Sequence, residues 1–156
     1  MENLRDEREN ETGIGGWLIL VLLGLIITPI RLGVSVFMEF LPLFDSLPML
    51  EELYPELKSM IYLELFGNIS FGIFAIILIF LMIKKDRRFP LLMIIFYVSN
   101  LVFIVFDAIY VSQMVSLEGS SDVDDSSKEI IRSVIGTAIW VPYMLVSKRV
   151  KRTFTN

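Results

Sequence analysis

Arg31, Glu64, Asp107 and Arg132 are the side chains whose type and placement give this sequence chemistry to do, since each interrupts or borders a long run that otherwise carries no charge. Two guanidinium groups and two carboxylates can pair as salt bridges, hold a polar solute or pass an ion. The chain contains no cysteine and no histidine. Thiol nucleophiles, disulfides, Cys/His metal clusters and imidazole acid–base catalysis are therefore excluded. No Gly-rich phosphate loop, nucleophile elbow or dinucleotide fingerprint occurs. The sequence thus predicts no catalytic residue, no metal ligand and no cofactor, and does not read as an enzyme. A net charge of −4 over 156 residues lacks the basic face that phosphate binding requires, so nucleic acid is not an expected partner.

The solvent around those four charges follows from composition. Hydrophobic residues make up 54% of the chain and charged ones 21%, with a mean hydropathy of +0.66, too apolar for a soluble domain of this length. A helix crossing a bilayer needs roughly 20 apolar residues. Charge-free stretches run over 12–30, resuming after Arg31 to residue 38; over 65–83; over 89–106, resuming after Asp107 to residue 117; and over 133–147. The fourth reaches bilayer length only when Ile130, Ile131 and Arg132 are included. The expected spans are residues 14–38, 61–83, 89–114 and 129–147, in one domain over 13–152. An acidic tail over 1–12 and a short tail over 153–156 flank it.

Basic residues set the orientation. Of the 14 Lys and Arg, four lie at 84–88, four at 148–152 and two at Arg5 and Arg8, whereas the segments 39–58 and 118–129 are acidic. Cytoplasmic flanks of membrane helices are rich in Lys and Arg, so the expectation is an all-α integral membrane protein. It has four transmembrane helices in an up-down bundle and both termini in the cytoplasm. The acid-rich N-terminal flank and the lack of an A-x-A-like site are unlike a secretory signal.

Depths along the spans follow from the 1.5 Å helical rise. Measured from the basic borders, Arg31 lies roughly 21 Å up, Glu64 roughly 30 Å, Asp107 roughly 28 Å and Arg132 roughly 24 Å. All four fall in one layer of the outer half. A charge at the bilayer centre costs about 2.5–3.5 kcal/mol on insertion scales, so such residues face protein or water. Residues three and four apart share a helix face. Glu64 stacks with Asn68 and Gly72, Arg31 with Thr28 and Gly24, Asp107 with Asn100, and Arg132 with Gly136 and Tyr143. These small and polar stripes are expected to face inward, where membrane helices associate. The layer then either holds the helices in register or lines a pocket open to the outside, with Asp107 and Glu64 paired to the two arginines.

Prolines 42, 48 and 55 are expected to limit the 39–58 segment to a short surface helix capped by Ser46. Pro29 and Pro142 can kink their spans. Ser126-Ser127-Lys128-Glu129 matches a capping box before the fourth span. The Gly/Ser/Asp-rich stretch before it reads as a mobile loop, and its aspartates lack the Gly and Glu spacing of a calcium loop.

Several stretches resemble a YdgK-like family of small bacterial inner-membrane proteins of unknown function. They are Gly13-Ile-Gly-Gly-Trp-Leu, Thr28-Pro-Ile-Arg31, Arg88-Phe-Pro90, Ile139-Trp-Val-Pro-Tyr143 and Ser147-Lys-Arg-Val-Lys-Arg-Thr-Phe154. The resemblance implies a four-helix, multi-pass protein of the bacterial cytoplasmic membrane and carries over no ligand residue. Two functions remain open. One is a non-enzymatic accessory or assembly protein whose embedded surface binds a membrane-protein partner or a second copy. The other is a carrier or channel for a small solute or ion, using the outer polar layer.

Overall fold

A computed structural model describes residues 13–53, 55–115 and 123–155. The acidic tail and residues 116–122 lie outside the described residues, whereas 123–127, the rest of the expected Gly/Ser/Asp-rich loop, are helical and not a mobile loop. Every regular element among the described residues is helical. Helix α1 (Trp17–Ser35) passes through a π-helical turn (Val36–Phe40) into α2 (Leu41–Leu53); α3 (Pro55–Ile83), α4 (Phe89–Val115), α5 (Val123–Val146) and α6 (Lys148–Thr153) follow. Four helical stretches, Trp17–Phe44, Lys58–Ile83, Phe89–Tyr110 and Ser127–Val146, are long and apolar enough to cross a membrane.

Two of the sequence expectations about helix ends are corrected. The prolines of the 39–58 segment do not isolate a short helix. Pro42 has no N–H to offer the carbonyl of Met38 and its ring would clash there, and the chain widens into the π turn just before it. There the Leu41 N–H donates to the Val36 carbonyl, five residues back. With that clash relieved by the wider turn, α1 continues without a break into α2. Ser46 therefore sits inside α2 rather than capping it, its hydroxyl donating to the Pro42 carbonyl at 3.5 Å. Likewise, α5 begins at Val123, upstream of the expected capping box, so Ser126 and Ser127 are helical and not caps.

The chain forms two compact units. Within Leu20–Phe80, Phe40, Leu47 and Ile61 form a buried cluster with Phe44 and Leu65 packed on it. Phe44 meets Tyr62 edge to face at 6.1 Å. Gly72 on α3 faces Leu32 of α1, where a Cβ would make an ordinary contact at 4.0 Å.

The second unit, Met1–Ile19 with Leu81–Asn156, is built on the antiparallel pair α4 and α5. Tyr97 of α4 packs over Gly136 of α5, where a Cβ would meet the ring at 3.9 Å in ordinary contact. The turn into α4 is fixed by its own residues. Lys85 adopts the left-handed conformation at φ 54°, and the Asp86 N–H reaches the Leu81 carbonyl at 3.0 Å while the Lys85 N–H reaches that of Met82 at 3.1 Å. This is the pairing that satisfies the last carbonyls of a helix. Asp86 then opens α4, its carboxylate accepting the Arg88 N–H at 2.8 Å.

Candidate functional site

The four charges sort by sign. On α3, Glu64 and Asn68 are half-buried on the face that carries Gly72 and fully buried Ala75. On α4, Asp107 and Asn100 are half-buried and continue the buried stripe of Phe89, Met93 and Phe96. Both acids are thus half-buried, and both arginines are exposed. The buried stripe of α1 is Leu18, Val21 and Leu25, whereas Arg31 lies with Leu20, Gly24 and Ile27 on the exposed side. Gly24 there has open space around it. Thr28 is half-buried and turns its hydroxyl back to the Gly24 carbonyl at 2.8 Å, a local bond that answers to no other helix.

Arg132 is placed similarly. Ser133, Gly136, Trp140 and Met144 form the covered face of α5, with Met144 buried. Arg132 shares the exposed face with Lys128, Ile135 and Ile139. Periodicity located the polar stripes, but choosing which stripe faces inward requires knowing what each helix packs against. Asp107 Oδ1 is buried and has no hydrogen-bond partner among the described residues, so the expected bond from Arg132 to that oxygen is not made. Thr137 Oγ1 on α5 is also buried without a partner. Among the described residues no group of three or more acidic side chains is arranged to hold a metal ion.

A second constellation was not assembled by sequence reasoning, although its pieces are the stretches that carry the resemblance. Ser147 breaks the last span, its backbone extended and its hydroxyl accepting the Val150 N–H, and so caps α6. Val150 and Thr153 of α6 and Phe154 just after it are buried, while Lys148, Lys151 and Arg152 are exposed. Ser147 followed by Val150 and Phe154 at helical spacing is the sequence signal for this helix.

Its buried side closes on both other ends of the unit. The Thr153 hydroxyl donates to the Gly13 carbonyl at 3.3 Å, and its oxygen accepts the Gly13 N–H at 3.2 Å. Phe154 stacks on Phe89, the first residue of α4, with centroids 4.5 Å apart. The Arg149 guanidinium lies over the turn of Gly15 and Gly16, where a Cβ at Gly16 would come within 2.6 Å of it. Trp17 meets Trp140 at 6.3 Å and Trp140 meets Tyr143 at 5.8 Å, both edge to face. The start of the first span, the start of the third and the end of the fourth are therefore joined at one end.

No curated protein and no solved structure matches this chain. A family model described as "Protein of unknown function (DUF2569)" matches residues 11–155, which takes in all four spans, the glycine turn and α6. The chain belongs to that family.

Proposed function

We propose that this chain is a non-enzymatic accessory or assembly protein of the bacterial cytoplasmic membrane, multi-pass with both termini cytoplasmic, that docks a membrane-protein partner on the outward face of α5. A YdgK-like kinship, suggested by the resemblance in sequence, is part of the same proposal. The observation that carries the proposal is the mismatch between what α5 is made of and what it covers. Its span is the least apolar of the four, yet only 6% of its apolar window is buried, against 22% for α3. A helix facing lipid alone is expected to be the most apolar one, not the least. On this exposed face Arg132 stands between Lys128 and the apolar pair Ile135 and Ile139. An arginine among apolar side chains in a bilayer favours a neighbour that supplies an acceptor.

A photo-crosslinking residue at Ile135 in native membranes tests this. The expected product is one discrete protein adduct, lost in Arg132→Gln while expression is unchanged. An adduct with a second copy of the chain would identify the partner as a homo-oligomer. Labelling of lipid alone, together with thermal stabilisation of the purified protein by a small solute, would contradict docking and favour a carrier.

A further inference from the structure

The Phe89–Phe154 stack brings together two basic segments that are far apart in sequence. Arg88 immediately precedes one ring and Arg152 lies two residues before the other, with the rings 4.5 Å apart. Both arginines are exposed, as are Lys84, Lys85 and Arg87 on the first segment and Lys148 and Lys151 on the second. The one carboxylate within either segment, Asp86, is engaged with the Arg88 backbone N–H. Below this rim the exposed residues are apolar: Ile83 just before Lys84, Leu91 in the first turn of α4 and Val146 just before the Ser147 cap, each more than 60% exposed.

We propose that this rim is a headgroup site for an anionic phospholipid carrying two phosphates, with Arg88 and Arg152 as the phosphate ligands on either side of the aromatic stack. Four exposed basic residues on one segment and three on the other, joined through one stacked pair, match two anionic groups better than one. Arginine offers the planar fork that holds phosphate oxygens bidentately. A lipid is favoured over a soluble anion because exposed Ile83, Leu91 and Val146 give its acyl chains a surface one turn below the charges. Exposed Trp17, beside Trp140 at the same end, marks headgroup depth.

The test uses the purified full-length protein in mild detergent, followed by thermal unfolding against added lipid. Diphosphatidylglycerol, phosphatidylglycerol and inorganic pyrophosphate are compared at equal phosphate. The expected result is saturable stabilisation by diphosphatidylglycerol, with half-saturation at least about fivefold lower than for phosphatidylglycerol, and none by pyrophosphate. The Arg88→Lys, Arg152→Lys double variant keeps every charge, and hence the orientation signal, and should bring that ratio close to one. Equal half-saturation for the two lipids in the natural protein would overturn the proposal. An unchanged ratio in the double variant, or stabilisation by pyrophosphate as strong as by lipid, would overturn it as well.

Discussion

Thr153 and Gly13 exchange two hydrogen bonds, hydroxyl to carbonyl at 3.3 Å and amide to hydroxyl oxygen at 3.2 Å, across 140 positions of the chain. Thr153 is 3% exposed and Gly13 is half-buried, so the bonds are partly shielded from water. Through this clasp the last helix holds the start of the first span.

Thr153→Val keeps the shape and removes the hydroxyl. Leaving the Gly13 backbone unsatisfied should cost about 1–3 kcal/mol, read as a lower melting temperature in detergent, while Thr153→Ser should recover most of it. A Thr153→Val protein as stable as the natural one would show that the clasp contributes nothing.

Two glycines should respond oppositely to alanine. Gly16 has φ +59° with the Arg149 guanidinium 2.6 Å from the position of a Cβ, so Gly16→Ala is destabilising by about 1–2 kcal/mol from backbone conformation alone. Gly24 lies within α1 with open space around it, and Gly24→Ala should stabilise by up to about 1 kcal/mol. Parallel melting curves of the two variants check the sign of each.

Lys85 holds a left-handed conformation at φ 54° that favours glycine. Lys85→Gly should raise the melting temperature, by about 1 kcal/mol of stability, and Lys85→Val, with its branched Cβ, should lower it. Equal melting temperatures would mean that this turn is not strained.

Asp107 is buried at Oδ1 without a hydrogen-bond partner among the described residues. Asp107→Asn removes a charge that no hydrogen bond compensates at that oxygen, so the protein should melt at the same temperature or higher. Breaking a buried ion pair typically costs about 3–5 kcal/mol. A loss of that size, relieved by also neutralising Arg132, would establish the pairing that this geometry lacks.

What could be read from the sequence was set by local physics. Charge-free runs of bilayer length placed the four spans, and the i, i+4 stripes put Glu64 and Asp107 on covered faces. Arg31 and Arg132 lie on exposed faces, and a polar stripe alone does not say which neighbour a helix will pack against. The π turn escaped because Pro42 reads as a helix breaker unless the preceding turn widens. The clasp escaped for a different reason. It joins Gly13 to Thr153, and no local pattern foretells a pairing across the whole chain.

The central claim is that all four helices cross the membrane and that the joined ends face the cytoplasm. Because the natural chain has no cysteine, single cysteines at Ser46, Arg87, Ser121 and Thr155 can be probed in intact cells with an impermeant thiol reagent. The account predicts labelling at Ser46 and Ser121, and protection at Arg87 and Thr155 until the membrane is permeabilised. Labelling at Arg87 or Thr155 in intact cells, with protection at Ser121, would contradict it.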